Sequence, residues 1–240
     1  MKADVYFAAA EVDPQSLAEK AVVVIDVLRA TTTIVEALAC GARSILPTTS
    51  AEEAVRLAAS LGREDTLLCG ERKGAQIEGF DLGNSPDEFT SERVMGKRLV
   101  MTTTNGTVAF SRAHEAERIL ACAFTNLGAV ADAVRREETL VVLCAGRQGR
   151  FSLEDAVCAG HLLLRLGAGP EGEVELNDAG RAVVALAEAI TPNPAFLANT
   201  DGGTALADIG LEGDLEACGQ LDRHEIVPEI RDQALTVKEG

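Results

Sequence analysis

The chain has 240 residues, of which 47% are apolar and only 3% aromatic, so its core is expected to consist of Ala, Val, Leu and Ile. A formal net charge of −16 argues against nucleic acid or an anionic membrane as a partner, although a few local cations can still attract a small anion. No apolar run approaches the roughly 20 residues that a membrane-spanning helix needs.

The cysteines and the first residues predict a cytoplasmic protein. The six cysteines form no CxxC pair, and several lie within apolar runs, which is typical of reduced core thiols. The first seven residues, MKADVYF, predict a strand rather than a signal peptide.

Strands and helices are predicted to alternate along the chain. The predicted strands are residues 3–8, 21–25, 43–47, 66–71, 97–101, 118–123, 139–144 and a late edge strand at 225–230. The predicted helices cover about 33–40, 50–60, 107–113, 126–136, 152–164 and 176–190, with short helices up to about 218. Alternation predicts an α/β fold with three α/β/α layers around a mostly parallel, mixed sheet, as a single domain over 1–240.

In the segment 21–33, a predicted buried strand is followed directly by a carboxylate, Asp26. Asp26 interrupts the apolar run, and a buried carboxylate costs several kcal/mol unless a cation or several donors accompany it. Arg29 follows, and Thr33 with Glu36 has the spacing of a capping box, which places the helix start at Thr33. Ligands bind at such strand ends, and helix N-termini favour anions. The alternative is that Asp26 only pairs with Arg29 or caps a neighbouring turn.

Three more turns follow predicted strands. Residues 71–86 form a long glycine-containing loop, typical of functional or disordered segments, and Ser85 is expected to cap a helix start. Residues 102–107 present threonines and an asparagine, and 145–150 are rich in Gly and Arg. Asp155 has capping-box spacing from Ser152, which competes with a ligand role.

These four turns are expected to meet at one edge of the sheet if their strands are parallel. Arginines, glycine-rich turns and hydroxyls suit a phosphate or sulfonate, and several carboxylates suit Mg²⁺. Together they are typical of phosphoryl transfer. Cys144 is better explained as a core thiol than as a nucleophile, because no His lies near it in sequence. An aspartyl-phosphate route is disfavoured because the expected second Asp is Leu28.

The motifs together resemble those of the 2-phosphosulfolactate phosphatase family. They are VIDVLRATTT at 24–33, GE at 70–71, GFDLGNSP at 79–86, TTTNGT at 102–107, CAG at 144–146 and GRFSLED at 149–155, and the resemblance extends through Asp178 and Gly202. It implies Mg²⁺-dependent hydrolysis of 2-phospho-3-sulfolactate to 3-sulfolactate and phosphate, in some members on a route to coenzyme M. The expected partner is this small anionic phosphorylated substrate, and a homo-oligomer is left open.

The chemistry assigns a role to each candidate residue. The predicted catalytic residues are Asp26, Arg29, Glu71 and Arg147. The predicted substrate-binding residues are Arg29, Thr31, Thr32, Arg72, Asn84, Thr103, Thr104, Asn105, Gly106 and Arg147. The predicted Mg²⁺ ligands are Asp26, Glu71, Glu154 and Asp155. Two rival functions remain: a non-catalytic module that binds a phosphorylated metabolite, and a phosphatase for another phosphorylated hydroxy acid.

Overall fold

A computed structural model describes residues 1–169 and 172–237 of the chain. Its strands are β1 Lys2–Tyr6, β2 Ala21–Ile25, β3 Ser44–Thr48, β4 Thr66–Arg72, β5 Ala75–Gln76, β6 Arg98–Thr102, β7 Arg118–Cys122, β8 Thr139–Cys144, β9 Glu175–Leu176, β10 Pro228–Arg231 and β11 Ala234–Val237. Its α-helices are α1 Ala30–Ala39, α2 Ala51–Leu61, α3 Ser91–Val94, α4 Gly106–Arg112, α5 Leu127–Val134, α6 Leu153–Arg165, α7 Asp178–Ala189, α8 Pro194–Ala198, α9 Asp201–Ala207 and α10 Asp214–Cys218.

The strands form one mixed sheet in the order β5-β4-β6-β3-β11-β10-β7-β2-β8-β1-β9. Strands β4, β6 and β3 are mutually parallel, and so are β7, β2, β8, β1 and β9. The hairpin β10–β11 joins these two groups through antiparallel pairings. The predicted α/β class with a mostly parallel sheet is therefore confirmed.

The two parallel groups run in opposite directions, because three successive antiparallel pairings separate β3 from β7. The expectation that all four turns share one edge of a parallel sheet is therefore wrong, because β4 and β6 run opposite to β2 and β8. Strand β3, which follows α1, pairs with β6, while β7, which follows α4, pairs with β2. The chain thus crosses to the other group of strands after each of these helices, and the turn before α1 lies next to the turn before α4.

Helices cover both faces of each group of strands. Helices α1 and α4 lie between the groups, since α1 contacts β7 and β3 while α4 contacts β3 and β2. The core there joins Val22 and Val24 of β2 to Ile45, Leu99 and Met101 of the other group. Helices α5, α6 and α7 pack on the outer face of one group, and α2 packs on the outer face of the other.

Two local predictions are wrong. Helix α1 begins at Ala30 rather than Thr33, because the Thr31 amide already donates to the Asp26 carbonyl at 2.9 Å. The predicted edge strand near the C-terminus is β10, which lies inside the sheet between β11 and β7. Its proline is tolerated there because Pro228 is the first residue of the strand.

The loop at 71–86 is partly ordered as a hairpin. Strand β4 extends to Arg72 and pairs with the two-residue β5, so that the chain turns at Lys73 and Gly74. Ser85 precedes a 3-10 turn over Pro86–Glu88, but its hydroxyl does not cap that turn. It donates instead to the Asp214 carboxylate.

Candidate active site

A cavity of about 230 Å³ opens where the turns after β2, β4, β6 and β8 meet. Each of those turns contributes at least one polar or charged residue to its wall. The lining residues are Asp26, Leu28, Arg29, Glu71, Lys73, Gly74, Asn84, Thr103, Thr104, Asn105, Arg147, Gln148, Gly202, Ala205, Leu206 and Ile209. Asp26 and Arg147, which are 121 positions apart in the printed sequence, therefore face one space.

Asp26 is a buried carboxylate held at one oxygen. Its Oδ1 accepts a hydrogen bond from the Ala30 amide at 3.2 Å, while Oδ2 accepts none from the described residues. Burial raises the pKa of Asp26 to about 7, and the neighbouring carboxylates of Glu71 and Glu154 contribute to the shift. Asp26 thus combines an oxygen that is free to bind a ligand with a pKa near neutral pH.

The hydroxyls of Thr31 and Thr32 face the turn itself rather than the cavity. Thr31 Oγ1 donates to the Asp26 carbonyl at 2.8 Å, and Thr32 Oγ1 donates to the Val27 carbonyl at 2.8 Å. Neither residue lines the cavity. The geometry favours a role in shaping the Asp26 turn over the predicted role in substrate binding.

Arg29 is buried beside the cavity and fixed at two nitrogens. Its Nη1 donates to Asp214 Oδ2 at 2.7 Å, and its Nη2 donates to the Gly74 carbonyl at 2.6 Å. The side chain nonetheless forms part of the cavity wall.

Glu71 connects two turns of the site. Its Oε1 accepts from the Thr104 amide at 2.6 Å, and its Oε2 accepts from the Gly74 amide at 2.7 Å and from Thr104 Oγ1 at 3.1 Å. Arg72 lies outside the cavity wall, where it donates to the Glu71 carbonyl and to Thr102 Oγ1. Arg72 therefore supports the backbone of this region instead of facing the space where a substrate would bind.

The turn after β6 approaches Asp26 closely because residue 106 is a glycine. A Cβ added at Gly106 would lie 2.4 Å from the Ala30 Cβ and 2.8 Å from Asp26 Oδ2. The preceding residues Thr103, Thr104 and Asn105 line the cavity.

We expect Gly106→Ala to reduce the free energy of unfolding by about 1–3 kcal/mol through overpacking. Since the added methyl pushes against Asp26, activity should fall as well. The matched control is Gly213→Ala, because Gly213 has an ordinary helical φ of −58° and no atom within 4 Å of an added Cβ. Urea denaturation of the two variants checks this, and equal stabilities would contradict the close packing.

Two cations of the cavity wall are held in no direct ion pair among the described residues. In the part of the chain that the structure describes, the side chains of Arg147 and Lys73 form no ion pair or side-chain hydrogen bond. Arg147 lies in a tight turn closed by two backbone hydrogen bonds with Arg150, and the Gln148 amide of that turn donates to Asn105 Oδ1 at 3.1 Å. The cavity wall therefore offers two cationic side chains, Arg147 and Lys73, that are not held in a direct ion pair among the described residues.

Glu154 and Asp155 lie behind the cavity wall rather than in it. Both oxygens of Asp155 are occupied, Oδ1 by the Val27 amide at 2.8 Å and Oδ2 by the Gly146 amide at 3.2 Å. Ser152 caps α6 through the Asp155 amide, as the spacing predicted. Asp155 thus ties the turn after β2 to the turn after β8, which favours a structural role over the predicted metal-ligand role.

We expect Asp155→Ala to lower the free energy of unfolding by about 3 kcal/mol, because two buried amides lose their acceptor. Asp178→Ala is the matched control, since Asp178 also lies in the first turn of a helix but is fully exposed. Calorimetric Mg²⁺ titration separates the two roles. Unchanged stability with loss of Mg²⁺ binding would support a metal-ligand role instead.

The acceptors of the cavity fit a weakly held Mg²⁺ ion. Asp26 Oδ2 accepts no hydrogen bond, and Asn84 Oδ1 is buried with no partner among the described residues. Mg²⁺ takes one or two protein oxygens, several waters and substrate phosphate oxygens, so these two oxygens are its candidate protein ligands. Within residues 1–169 and 172–237, no three His, Cys, Asp or Glu side chains are grouped to hold a metal alone.

Part of the wall was not predicted from the sequence. Residues of α9 and the turn after it add an apolar side, formed by Gly202, Ala205, Leu206 and Ile209. Asp214, which forms an ion pair with Arg29, was also not predicted from the sequence. The resemblance extends through Gly202 but assigns no site role to it, and a single Asp in an acidic segment looks like a surface charge.

Comparison with known proteins gives consistent matches over nearly the full length. A family model described as 2-phosphosulpholactate phosphatase matches residues 6–233. Relatives named "Probable 2-phosphosulfolactate phosphatase" include a Thermotoga petrophila protein, 39% identical over 90% of this chain and 92% of its own, and a Symbiobacterium thermophilum protein, 43% identical over 89% and 92%. A Clostridium perfringens relative with the same name is 37% identical over 100% of this chain and 98% of its own. In the described residues, no helix is long and apolar enough to cross a membrane.

Proposed function

This chain belongs to the 2-phosphosulfolactate phosphatase family, and we propose that it hydrolyses 2-phospho-3-sulfolactate to 3-sulfolactate and phosphate with the help of Mg²⁺. Family membership confirms the predicted family and the predicted class of phosphoric monoester hydrolase. The observation that carries the residue-level proposal is that one cavity contains both an available Asp26 oxygen and two cations, Arg147 and Lys73, that form no direct ion pair among the described residues.

The charge of the cavity suits the charge of the substrate. The substrate carries a phosphate, a carboxylate and a sulfonate, so its charge is about −4 near neutral pH, given a second phosphate pKa of roughly 6. Arg147 and Lys73 bind its anionic groups, and the guanidinium of Arg29, whose charge Asp214 balances, adds hydrogen-bond donors. Such charges lower the energy of a transferring phosphoryl group chiefly by electrostatic stabilisation.

Asp26 Oδ2 and Asn84 Oδ1 are the oxygens that would hold Mg²⁺. When bound, this ion would neutralise part of the phosphate charge and orient the ester. Glu71 keeps Thr104 and Gly74 in place around the substrate, and the apolar side of Leu28, Leu206 and Ile209 excludes bulk water.

Phosphate release from three esters tests the proposal. The panel is 2-phospho-3-sulfolactate, 2-phospholactate, which lacks the sulfonate, and 2-phosphoglycerate, which has a hydroxyl in its place, each with Mg²⁺ and with EDTA. We expect the highest kcat/KM with the sulfonate and loss of turnover with EDTA. Turnover indifferent to the sulfonate would favour another hydroxy-acid ester, and tight binding without release would favour a non-catalytic module. Full activity in EDTA would contradict the role of Mg²⁺.

A further inference from the structure

We propose that Asp214 is a positioning residue for Arg29, which it holds at the cavity wall in the orientation that binds the anionic substrate. The inference rests on the proposed function and adds a residue to it from a part of the chain where no motif marks a site. Asp214 is the first residue of α10 and lies 185 positions from Arg29.

The ion pair between Asp214 and Arg29 is almost completely removed from solvent. Asp214 Oδ2 accepts from Arg29 Nη1 at 2.7 Å, and the two side chains are 5% and 3% exposed. Replacing such a buried pair by apolar residues is often neutral or stabilising, so a buried pair is weak evidence for a role in stability. Because Arg29 lines the cavity and Asp214 holds it there, the pair points to a role in the site.

The carboxylate of Asp214 is itself held in place. Its Oδ1 accepts from the hydroxyl of Ser85, the residue next to the cavity-lining Asn84. On the opposite side, the Gly74 carbonyl accepts from Arg29 Nη2 at 2.6 Å. The guanidinium is therefore held between two acceptors, and it uses two of its five N–H donors to hold this position.

The remaining donors of Arg29 are available to a ligand, since the residue forms part of the cavity wall. A guanidinium binds carboxylate, sulfonate or phosphate oxygens best when its planar fork is already oriented. Because Asp214 fixes that orientation in the folded protein, little side-chain freedom is lost when the substrate binds. Asp214 also balances the charge of Arg29.

A double-mutant cycle tests whether Asp214 acts through Arg29. We expect Asp214→Asn to lower kcat/KM about 10²-fold in the wild-type background, the loss expected when a positioned charged hydrogen bond is disturbed. In the Arg29→Met background, the same change should cause no further loss, while it restores stability by removing an unpaired buried charge. A further loss of more than about 5-fold in that background would overturn the inference, because independent effects are additive.

A milder pair of variants covers the case in which Arg29→Met fails to fold. Arg29→Lys keeps the buried charge, and Ser85→Ala removes only the donor that orients Asp214. Ser85→Ala should reduce kcat/KM several-fold alone and leave it unchanged when added to Arg29→Lys. Additive losses would contradict the proposal.

A second readout separates this inference from the proposed function. The affinity for 3-sulfolactate is measured by calorimetry for the same variants, and it should show the same non-additive pattern. If the wild-type protein releases no phosphate from any ester, the proposed function fails, whereas the binding cycle still tests Asp214. If the wild type is active and the cycle is additive in both readouts, only the inference on Asp214 fails.

Discussion

Replacing Asp26 by Asn should reduce phosphate release by about 10³-fold, the size of effect seen when a group that handles protons or charge is lost from a site. At the same time, the free protein should become more stable. The reason is that Asp26 is a buried carboxylate near Glu71 and Glu154, and the folded state raises its pKa from 3.8 to about 7. Asn keeps an oxygen for the Ala30 amide but carries no charge.

The stability gain of Asp26→Asn should depend on pH in a defined way. A carboxyl whose pKa is raised by folding binds its proton more tightly in the folded state, so ionisation destabilises the wild type as pH rises from about 4 to about 7. The variant should therefore match the wild type near pH 4 and exceed it by about 4 kcal/mol, or about 10 °C in Tm, above pH 7. Thermal unfolding at several pH values measures this.

Mg²⁺ supplies the control for the Asp26 variant. An ion bound at Asp26 and Asn84 should raise the Tm of the wild type and leave that of Asp26→Asn nearly unchanged, because only the native site binds it. Turnover close to that of the wild type, or a variant less stable at every pH, would contradict the role assigned to Asp26.

Replacing Arg147 by Gln should lower kcat/KM by about 10²-fold, the effect of removing a hydrogen bond to a charged group. The fold should be unaffected, because the Arg147 guanidinium has no ion-pair partner among the described residues. Arg147→Lys should recover only part of the activity, since an ammonium group keeps the charge but lacks the planar fork.

Arg150 offers a matched control for Arg147. It lies in the same turn, carries the same charge and pairs with Arg147 through backbone hydrogen bonds, but it is exposed and does not line the cavity. Arg150→Gln should leave kcat/KM within about 2-fold of the wild type, as is usual for surface substitutions. Equal losses in the two variants would show that general electrostatic attraction, and not a specific contact, explains the effect of Arg147.

The general location of the site could be predicted from the sequence because strand ends have a local pattern. A carboxylate that interrupts a buried apolar run, as Asp26 does, requires an explanation that a surface residue does not. Gly-rich and Thr-rich turns after strands likewise indicated Thr104, Asn105 and Arg147, and all of these line the cavity. The direction of the strands could not be predicted, because the exchange of β3 and β7 between partners depends on long-range pairing.

Individual roles were harder to predict than location. Thr31, Thr32 and Arg72 have the right chemistry for anion binding, but each satisfies nearby backbone or side-chain groups first. A sequence shows which side chains can donate and does not show which acceptor is nearest. Asp214 could not be found at all, because only folding brings α10 against Arg29.

The most direct test of the account is a crystal structure of the protein with Mg²⁺ and orthovanadate, a mimic of the phosphate group. The account predicts vanadate in the cavity within hydrogen-bond distance of Arg147. It also predicts Mg²⁺ at about 2.1 Å from Asp26 Oδ2 and Asn84 Oδ1, the distance typical of Mg²⁺–oxygen bonds. Vanadate bound elsewhere on the molecule, or bound in this cavity without contact to Asp26, Asn84 or Arg147, would contradict it.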